Sequence, residues 1–273
     1  MSTPHSQQSP TAGPASVAER SGGDKEFMAT LAKGLTVLGA FGEQRPTMSL
    51  SEAAEASGLT RAAARRVLRT LTELGYVAQD GRRFSLAPRI LELGFAYLST
   101  QSWIDRAEPL MKELSHTLHE SCSAAILQDS EIVYVARMPA PHRLMSTTIA
   151  VGTRLSAFHT SLGRIQLGYL AEPDLRARVA AATLRRYTQH TITDPEQLIA
   201  RIAADHAQGY SIVDEELEQG LRSIAMPVVT RAGVSVGAIN LSAHAGRTTP
   251  ADLRDRFLPR LSDVTTTISR SLV

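Results

Sequence analysis

The segment of residues 59–76, which reads LTRAAARRVLRTLTELGY, limits most narrowly what this chain can fold into. Its apolar residues recur at helical spacing, and a second face of the same helix carries arginine and threonine. The apolar positions are Ala64, Val67, Leu68, Leu71 and Leu74, and the polar positions are Arg61, Arg65, Arg69 and Thr72. Such a helix has to pack on a scaffold with one side and present positive charge with the other.

The residues before this helix predict a helix-turn-helix. The stretch MSLSEAAEASGLT reads as a short helix that Ser49 or Ser51 can cap, and Gly58 supplies the left-handed position at its end. Thr60 can then cap the basic helix, and residues 30–41 predict a further helix upstream. Two short helices joined by a turn that contains glycine are typical of this motif.

The residues after the basic helix predict a β-hairpin. The stretch YVAQDGRRFSLAP has two β-type runs around the turn formers Asp80 and Gly81, with Arg82 and Arg83 beside them. A hairpin in this position is a wing, so the N-terminal part of the chain is predicted to be a winged helix-turn-helix.

This surface suits DNA, because guanidinium groups meet phosphates and guanine edges while small side chains allow close approach. Residues 27–89 hold nine Lys or Arg and five Asp or Glu, a local charge of +4, whereas the whole chain has a net charge of +2. Considered without its neighbours, the helix is also compatible with an ordinary surface helix whose basic face meets only solvent. We predict contact with double-stranded DNA through Ser49, Thr60, Arg61, Ala62, Arg65, Arg66, Arg69, Arg82 and Arg83.

The bulk composition agrees with a globular protein of two domains. The chain has 273 residues, of which 43% are hydrophobic and 21% charged. Its one cysteine, Cys122, excludes an intrachain disulfide and a zinc site of paired thiolates. Apolar runs are too short to span a bilayer and no signal pattern opens the chain, so we expect a cytoplasmic protein. Residues 1–26 are rich in Ser, Pro and Gly and are predicted to be a disordered tail.

The rest of the chain mixes helices and strands. Pro88 suits the start of a helix whose apolar residues could link domains or pair with a second chain. Further helices are predicted at residues 103–120 and 194–208, near Ser161 and from Thr249, and strands at residues 124–127, 132–137, 144–149, 210–213, 223–230 and 234–243. Because strands and helices do not alternate regularly, an α+β fold with an antiparallel sheet is favoured over a doubly wound one.

Enzyme chemistry has weak support in the sequence. His159, Ser161 and Asp214 could form a nucleophile, base and orienter, but no Gly-x-Ser-x-Gly elbow surrounds the serine. The acidic run DEELE lacks companions at metal-ligand spacing, and no phosphate-binding glycine motif occurs. Two classes remain, a ligand-responsive DNA-binding regulator, and an enzyme or small-molecule carrier whose helix-turn-helix serves protein contact.

The chain resembles the IclR family of bacterial transcription regulators. The likeness spreads over residues 31–236 and lies in LAKGLTVLGAF, LSEAAEASGLTRAAARRVLRTLTELGYV, RRFSLAPRILELG, RLSAFHTSLGR and GYSIVDEELEQGLRSIAMPV. The resemblance implies a winged-helix domain at residues 27–88, a linker helix at 89–102 and a GAF-like α/β effector-binding domain at 103–273. It also implies a small carboxylic acid as effector, no cofactor and no metal, a palindromic operator, and dimers that often pair into tetramers.

Two segments, GLRSIAMPV and INLSAHAGR, are similar in particular to the PcaR, PcaU and PobR subgroup. Its members control genes for the catabolism of aromatic acids such as protocatechuate and 4-hydroxybenzoate through the β-ketoadipate pathway. The resemblance therefore implies a regulator of aromatic acid catabolism.

The resemblance also implies effector-binding residues. Thr160, Ser161 and Leu162 match the segment whose backbone amides meet the ligand carboxylate, Ser223 takes the place of a pocket cysteine, and Asn240 and Ser242 match later polar positions. Many members have an aspartate where this chain has Val213, a departure that disfavours glyoxylate-like or pyruvate-like ligands. A larger acid could use Arg222, Arg154, Arg143 or His159, each of which could instead have a structural role.

Overall fold

The computed structural model describes residues 26–140 and 149–272. Two compact units divide the chain, with the division between Thr100 and Gln101. The expected disordered tail up to residue 25, Arg143, and residues 144–148 of an expected strand lie outside the described residues. Within the described part, no helix is both long enough and apolar enough to cross a membrane.

The N-terminal unit is a winged helix-turn-helix, as the sequence predicts. Its helices are α1 (Ala29–Gly39), α2 (Leu50–Ala56), α3 (Arg61–Glu73) and α4 (Ile90–Leu98), and its strands are β1 (Thr47–Ser49), β2 (Val77–Asp80) and β3 (Arg83–Leu86). The strands form an antiparallel sheet in the order β1-β3-β2. Helices α1 to α3 and the sheet enclose one core, formed by Val37, Phe41, Met48, Ala53, Val67, Leu68, Leu71 and Val77.

Local sequence signals set the ends of α2 and α3. Ser49 forms a capping box with Glu52 at the start of α2, and the Thr60 hydroxyl accepts a hydrogen bond from the Ala63 amide at the start of α3. Gly58, between the two helices, has a φ of 64°, a conformation that glycine adopts without strain. Leu74 differs from the predicted core pattern and is 50% exposed, because α3 ends at Glu73 and Leu74 already forms its C-cap.

The C-terminal unit is built on a six-stranded antiparallel sheet. Its strands are β4 (Ser121–Gln128), β5 (Glu131–Met138), β6 (Arg154–Ser156), β7 (Ser211–Asp214), β8 (Leu221–Val229) and β9 (Ser235–His244). They lie in the order β6-β5-β4-β9-β8-β7. The helices are α5 (Ser102–Leu118), α6 (Ser161–Leu167), α7 (Glu172–Ala181), α8 (Pro195–Gln208), α9 (Pro250–Asp252) and α10 (Leu258–Arg270), and a π-helical turn joins the last two. The predicted α+β class with an antiparallel sheet is confirmed.

Helices cover both faces of this sheet. Helices α6, α7 and α8 share one core with the small residues Ala125, Ala225 and Ala238 of the central strands. Helices α5 and α10 pack on the other face, where the ring of Trp103 lies against Gly237. Cys122 is buried on β4, and burial raises the pKa of its thiol, as suits a small core residue.

The sequence patterns missed three elements of the fold. Helix α7 buries only Leu175 and Val179, so its apolar periodicity is weak. Strands β1 and β6 have three residues each, too few to show an alternation. Partners elsewhere in the chain, β3 for β1 and β5 for β6, hold these short strands in place.

Candidate DNA-binding surface and effector site

Helix α3 presents exposed arginines on the side opposite its core contacts. Arg61, Arg65 and Arg66 are exposed, and no hydrogen bond or ion pair to another described residue engages their guanidinium groups. Arg69 is also exposed, but its Nε lies 2.9 Å from Oε1 of Glu73 one turn away. Ala62 is exposed and leaves room for close approach. The basic face that the sequence predicts is therefore turned to solvent.

Other predicted DNA contacts also have roles within the domain. The hydroxyls of Ser49 and Thr60 cap helices, as described above. Arg83 fastens the wing to β1, since its Nε donates to the Thr47 hydroxyl at 2.9 Å and its Nη2 to the Thr47 carbonyl at 2.9 Å. Arg82 is exposed beside the turn, and within the described part of the chain no partner holds its guanidinium. The cations with no such protein contact are thus on α3 and at the wing tip.

In the C-terminal unit, four predicted effector residues lie together. The Ser161 hydroxyl, at the start of α6, donates to the Ser223 hydroxyl on β8 at 2.9 Å. Ser223 is the register partner of Ser242 on β9, and Asn240 Nδ2 donates to the Ser242 hydroxyl at 3.1 Å. Asn240 Oδ1 is buried with no hydrogen-bond donor among the described residues. A polar cluster of Ser161, Ser223, Asn240 and Ser242 thus lies between α6 and the sheet.

The residues around the start of α6 are held by backbone contacts. The Thr160 hydroxyl accepts a hydrogen bond from the Gly163 amide at 3.2 Å and donates to the Ser156 carbonyl at 3.0 Å. The Leu162 side chain is fully buried in the core, so only its backbone can face a ligand. A Cβ added at Gly163 would lie 2.2 Å from the Cα of Ala157, so only glycine allows this approach.

His159 is buried beside this cluster. Its Nδ1 lies 2.9 Å from the Ser156 hydroxyl, and its ring lies edge-on to that of Tyr187 with centroids 5.2 Å apart. Nε2 is buried and has no hydrogen-bond partner among the described residues. Burial, followed by the charge of Arg164, lowers the pKa of His159 to about 4, so the ring is neutral near pH 7.

Two arginines considered as carboxylate ligands are already paired with acidic side chains. Arg222 Nε donates to Asp214 Oδ1 at 2.6 Å, and its Nη1 donates to the Thr248 carbonyl. Arg154 Nε donates to Glu131 Oε2 at 2.8 Å. An effector that used either guanidinium would have to compete with these contacts.

A buried ion pair, which the sequence reading missed, anchors α6. Arg164 is fully buried, and its Nη1 and Nη2 donate to the two carboxylate oxygens of Glu216 at 2.7 and 2.5 Å. Its Nε donates to the Phe158 carbonyl at 2.7 Å. The Glu216 carbonyl in turn accepts a hydrogen bond from the Thr191 hydroxyl at 2.6 Å. A signal was present in the sequence, since an arginine inside the apolar helix SLGRIQL needs a buried partner.

The arrangement gives no support to the catalytic triad considered from the sequence. Ser161 donates to Ser223, His159 contacts Ser156 and Asp214 binds Arg222, so each group is engaged with another residue. In the acidic run, Glu216 binds Arg164 and Glu215 accepts the Gly220 amide. Among the described residues, no group of three His, Cys, Asp or Glu side chains could hold a metal ion.

Two family models match the chain, one mainly in each of its two compact units. The model of the IclR helix-turn-helix domain matches residues 30–81, and that of the bacterial transcriptional regulator IclR C-terminal domain matches residues 95–270. The chain belongs to the IclR family. As an IclR family member it is a ligand-responsive, DNA-binding transcriptional regulator, which confirms the expectation from its sequence.

Relatives within the IclR family also match the subgroup that the sequence resembles. The Pca regulon regulatory protein of Pseudomonas putida is 44% identical over 239 residues, which are 88% of this chain and 82% of that protein. A crystal structure of a protein from Rhodococcus sp. RHA1 is 43% identical, with a TM-score of 0.79 over 90% of this chain and 98% of that one. The inducer-binding domain of a PobR double mutant from Acinetobacter, in complex with 3-hydroxybenzoic acid, is 28% identical, with a TM-score of 0.56 over 60% of this chain and 95% of that chain.

The pKa of His159 predicts a pH dependence of stability. Because the folded-state pKa of about 4 lies below the ordinary histidine value of 6.5, the unfolded chain binds more protons between these pH values. The free energy of unfolding should therefore keep its full value above about pH 6.5. It should decrease by up to about 3 kcal/mol as the pH falls toward 4, because the unfolded chain then gains the proton.

Unfolding by urea at pH 7, 6, 5 and 4 measures this effect. The difference in free energy of unfolding between the wild-type protein and His159→Asn should change with pH over this window. The control variant His190→Asn, at an exposed position, should keep the pH dependence of the wild type. A difference independent of pH would show that His159 is not held neutral by its surroundings.

Proposed function

We propose that this IclR family regulator controls genes for aromatic acid catabolism, and that it binds a small aromatic acid at the polar cluster of Ser161, Ser223, Asn240 and Ser242. The 44% identity to a Pca regulon regulator supports the gene class. The PobR domain with bound 3-hydroxybenzoic acid supports the ligand class. Val213, opposite Ser223 in the sheet, agrees with a ligand other than the small keto acids, because it offers no polar contact.

The DNA contacts are proposed on the exposed surface of the N-terminal unit. Arg61, Arg65 and Arg66 on α3 would enter the major groove, and Arg82 at the wing tip would contact the backbone or minor groove. Arg69 and Arg83 would contribute to DNA binding while keeping their contacts within the protein. The capping residues Ser49 and Thr60 would position the starts of their helices next to DNA phosphates. We place the DNA-binding domain at residues 27–88, the linker helix at 89–102 and the effector domain at 103–273. Since the proposed operator is chromosomal DNA, we place the protein in the cytoplasm.

A second copy of this chain is proposed to cover the apolar faces of α1 and α4. Leu91 and Phe95 lie one turn apart on α4 and are 70% and 73% exposed, and Leu31 and Leu35 on α1 are 58% and 59% exposed. Exposed large apolar side chains one turn apart on a helix are typical of a protein interface. Two chains paired there would present two α3 helices to successive major grooves of a palindromic operator, about 34 to 36 Å apart.

We infer that the C-terminal unit binds its effector without changing it chemically. The hydroxyl of the candidate nucleophile Ser161 donates a hydrogen bond to Ser223, and the imidazole considered as its base, His159, contacts Ser156 instead. Nucleophilic catalysis requires a base within hydrogen-bonding reach of the attacking hydroxyl. The polar cluster is suited to binding, and a regulatory protein requires no more.

The first prediction from this proposal concerns Arg65. Replacing Arg65 with Ala should weaken operator binding by about 1 to 3 kcal/mol, or roughly 5- to 150-fold in Kd, and leave effector affinity unchanged. Fluorescence anisotropy with a labelled operator duplex and calorimetry with 4-hydroxybenzoate measure the two affinities. Arg231→Ala removes the same charge from an exposed turn of the C-terminal unit and serves as the control. Unchanged operator affinity would show that α3 does not read the DNA.

The second prediction is a reciprocal coupling between the two ligands. If the effector biases the DNA-bound state, 4-hydroxybenzoate and operator must change each other's affinity by the same factor, typically about 5- to 150-fold. Calorimetric titration of the acid with and without saturating operator measures that factor. Equal acid affinities in the two titrations would contradict a ligand-responsive switch.

The third prediction concerns oligomeric state. Phe95→Ser should shift the protein from dimer toward monomer, because a polar group is then placed on the proposed interface. Light scattering across a concentration series measures the mass. Val234, in the turn between β8 and β9, is 58% exposed, and Val234→Ser should leave the dimer intact. A Phe95→Ser protein that remains dimeric at micromolar concentration would place the interface elsewhere.

A further inference from the structure

One half-buried arginine of the C-terminal unit, Arg137, has neither a hydrogen-bond acceptor nor a counter-ion among the described residues. Within residues 26–140 and 149–272, five arginines are not exposed: Arg137, Arg154, Arg164, Arg178 and Arg222. Arg154, Arg164 and Arg222 bind the carboxylates of Glu131, Glu216 and Asp214, as described above, and Arg178 Nη1 donates to the Asp129 carbonyl. No described residue forms a hydrogen bond or an ion pair with the Arg137 guanidinium. A half-buried cation without a partner is costly unless a ligand supplies the negative charge.

The strand register places Arg137 on the same face of the sheet as the polar cluster. Arg137 on β5 pairs with Ser123 on β4, which pairs with Asn240 on β9. Register partners of antiparallel strands project their side chains to the same face. Asn240 and Ser242 share that face because strand side chains alternate, and Ser242 lies opposite Ser223, to which α6 is hydrogen-bonded. Arg137 therefore emerges on the side of the sheet that α6 covers.

Arg137 and Asn240 are separated by one strand. Since neighbouring strands lie about 4.8 Å apart, their backbones are about 10 Å apart, with the small side chain of Ser123 between them. Asn240 is 4% exposed, and its Oδ1 has no hydrogen-bond donor among the described residues while its Nδ2 is used by Ser242. Among the described residues, this row of the sheet thus holds the Arg137 guanidinium without a carboxylate partner and Asn240 Oδ1 without a hydrogen-bond donor.

Arg137 is half-buried, and Tyr134 of the same strand is buried. Burial lowers the pKa of Arg137, and burial raises the pKa of Tyr134, which projects from the same strand, to about 12. Both directions follow from burial, which is nearly complete for Tyr134 and partial for Arg137. Electrostatic attraction between the guanidinium and a ligand carboxylate is stronger in such a setting than in bulk water.

Helix α6 by itself is poorly suited to neutralise a carboxylate. It has seven residues, and the Gly163 amide in its first turn is already capped by Thr160. Its end therefore provides few free amides and no full positive charge. The charge of an acid bound at this row has to be balanced by a side chain.

We propose that Arg137 binds the carboxylate of the effector and that Asn240 Oδ1 accepts a hydrogen bond from a hydroxyl at the opposite end of the same molecule. This inference rests on the proposed function, that an aromatic acid acts at this site, and it narrows the ligand to a hydroxylated aromatic acid. A flat ring with the two groups on opposite edges passes over the small side chain of Ser123, which lies between Arg137 and Asn240 in the same row. An aliphatic dicarboxylate would place its second charge against the carbonyl oxygen of Asn240, which is an acceptor.

The test compares three probes on the full chain by calorimetry. 4-Hydroxybenzoate carries both groups, benzoate lacks the hydroxyl, and methyl 4-hydroxybenzoate lacks the charge. The wild-type protein should bind 4-hydroxybenzoate about 30-fold more tightly than the ester and about 10-fold more tightly than benzoate. Arg137→Gln should abolish the preference over the ester, and Asn240→Ala should abolish the preference over benzoate. Arg137→Lys should keep part of the first preference, because it retains the charge but not the bidentate geometry.

The melting temperature separates a ligand-binding arginine from a structural one. Without ligand, Arg137→Gln should melt at the same temperature as the wild type or higher, because an uncompensated half-buried charge is removed. With saturating 4-hydroxybenzoate, only the wild type should be strongly stabilised. Arg231→Gln, which removes an exposed charge, should behave as the wild type in both conditions. A lower melting temperature of ligand-free Arg137→Gln would assign Arg137 to the fold and overturn the inference.

The outcomes distinguish this inference from the function on which it rests. If Arg137→Gln keeps the preference for the acid over its ester, the role of Arg137 is wrong while the aromatic acid regulator stands. If the wild type binds its operator but none of the three probes, both the inference and the effector class are wrong, and the DNA-binding role stands. If the probes bind as expected but no operator binds, the inference holds and the regulatory function is wrong.

Discussion

The bidentate ion pair between Arg164 and Glu216 is the interaction on which the effector site depends most. It is buried, so removing either partner would leave an uncompensated charge, at a cost of about 3 to 5 kcal/mol. Through this pair, α6 is fastened to the turn that follows β7, and through Arg164 Nε to the Phe158 carbonyl. Ser161 lies three residues before Arg164 on α6, and His159 lies at the end of the turn that precedes α6. The ion pair therefore fixes the positions of both residues.

Arginine occurs in three electrostatic situations in this protein, and each has a different consequence. On α3 the guanidinium groups are exposed and few are paired, which leaves them available to an anionic surface. In the C-terminal unit, Arg164 and Arg222 are buried with carboxylates and organise the fold. Arg137 is half-buried and has no such partner among the described residues, so the carboxylate of a ligand can neutralise its charge. Burial and pairing, rather than residue type, assign these roles.

Three buried polar side-chain atoms of the described residues have no hydrogen-bond partner, and two of them lie near the proposed site, whereas the third, Trp103 Nε1, belongs to α5 on the other face of the sheet. His159 Nε2 and Asn240 Oδ1 are both buried without partners among the described residues, although buried polar atoms are satisfied in the great majority of cases. The neutral state of His159 lowers the cost of its position, since a charged ring would need a counter-ion. The buried Oδ1 of Asn240 has no hydrogen-bond donor among the described residues, and leaving it unsatisfied costs free energy. A hydrogen-bond donor from a ligand would remove that cost.

The sequence by itself determined the winged helix-turn-helix, because caps, a left-handed glycine, helical periodicity and a hairpin turn are local signals that the tertiary structure leaves unchanged. It also determined the strands β4, β5, β8 and β9 and the resemblance that points to Ser161, Ser223, Asn240 and Ser242. It did not determine the partners of the arginines. Arg222 and Arg164 depend on Asp214 and Glu216, and the placement of Arg137 depends on the register of three strands. Those relations join residues distant in the chain, and only tertiary packing decides which charges are buried together and which is left without a partner.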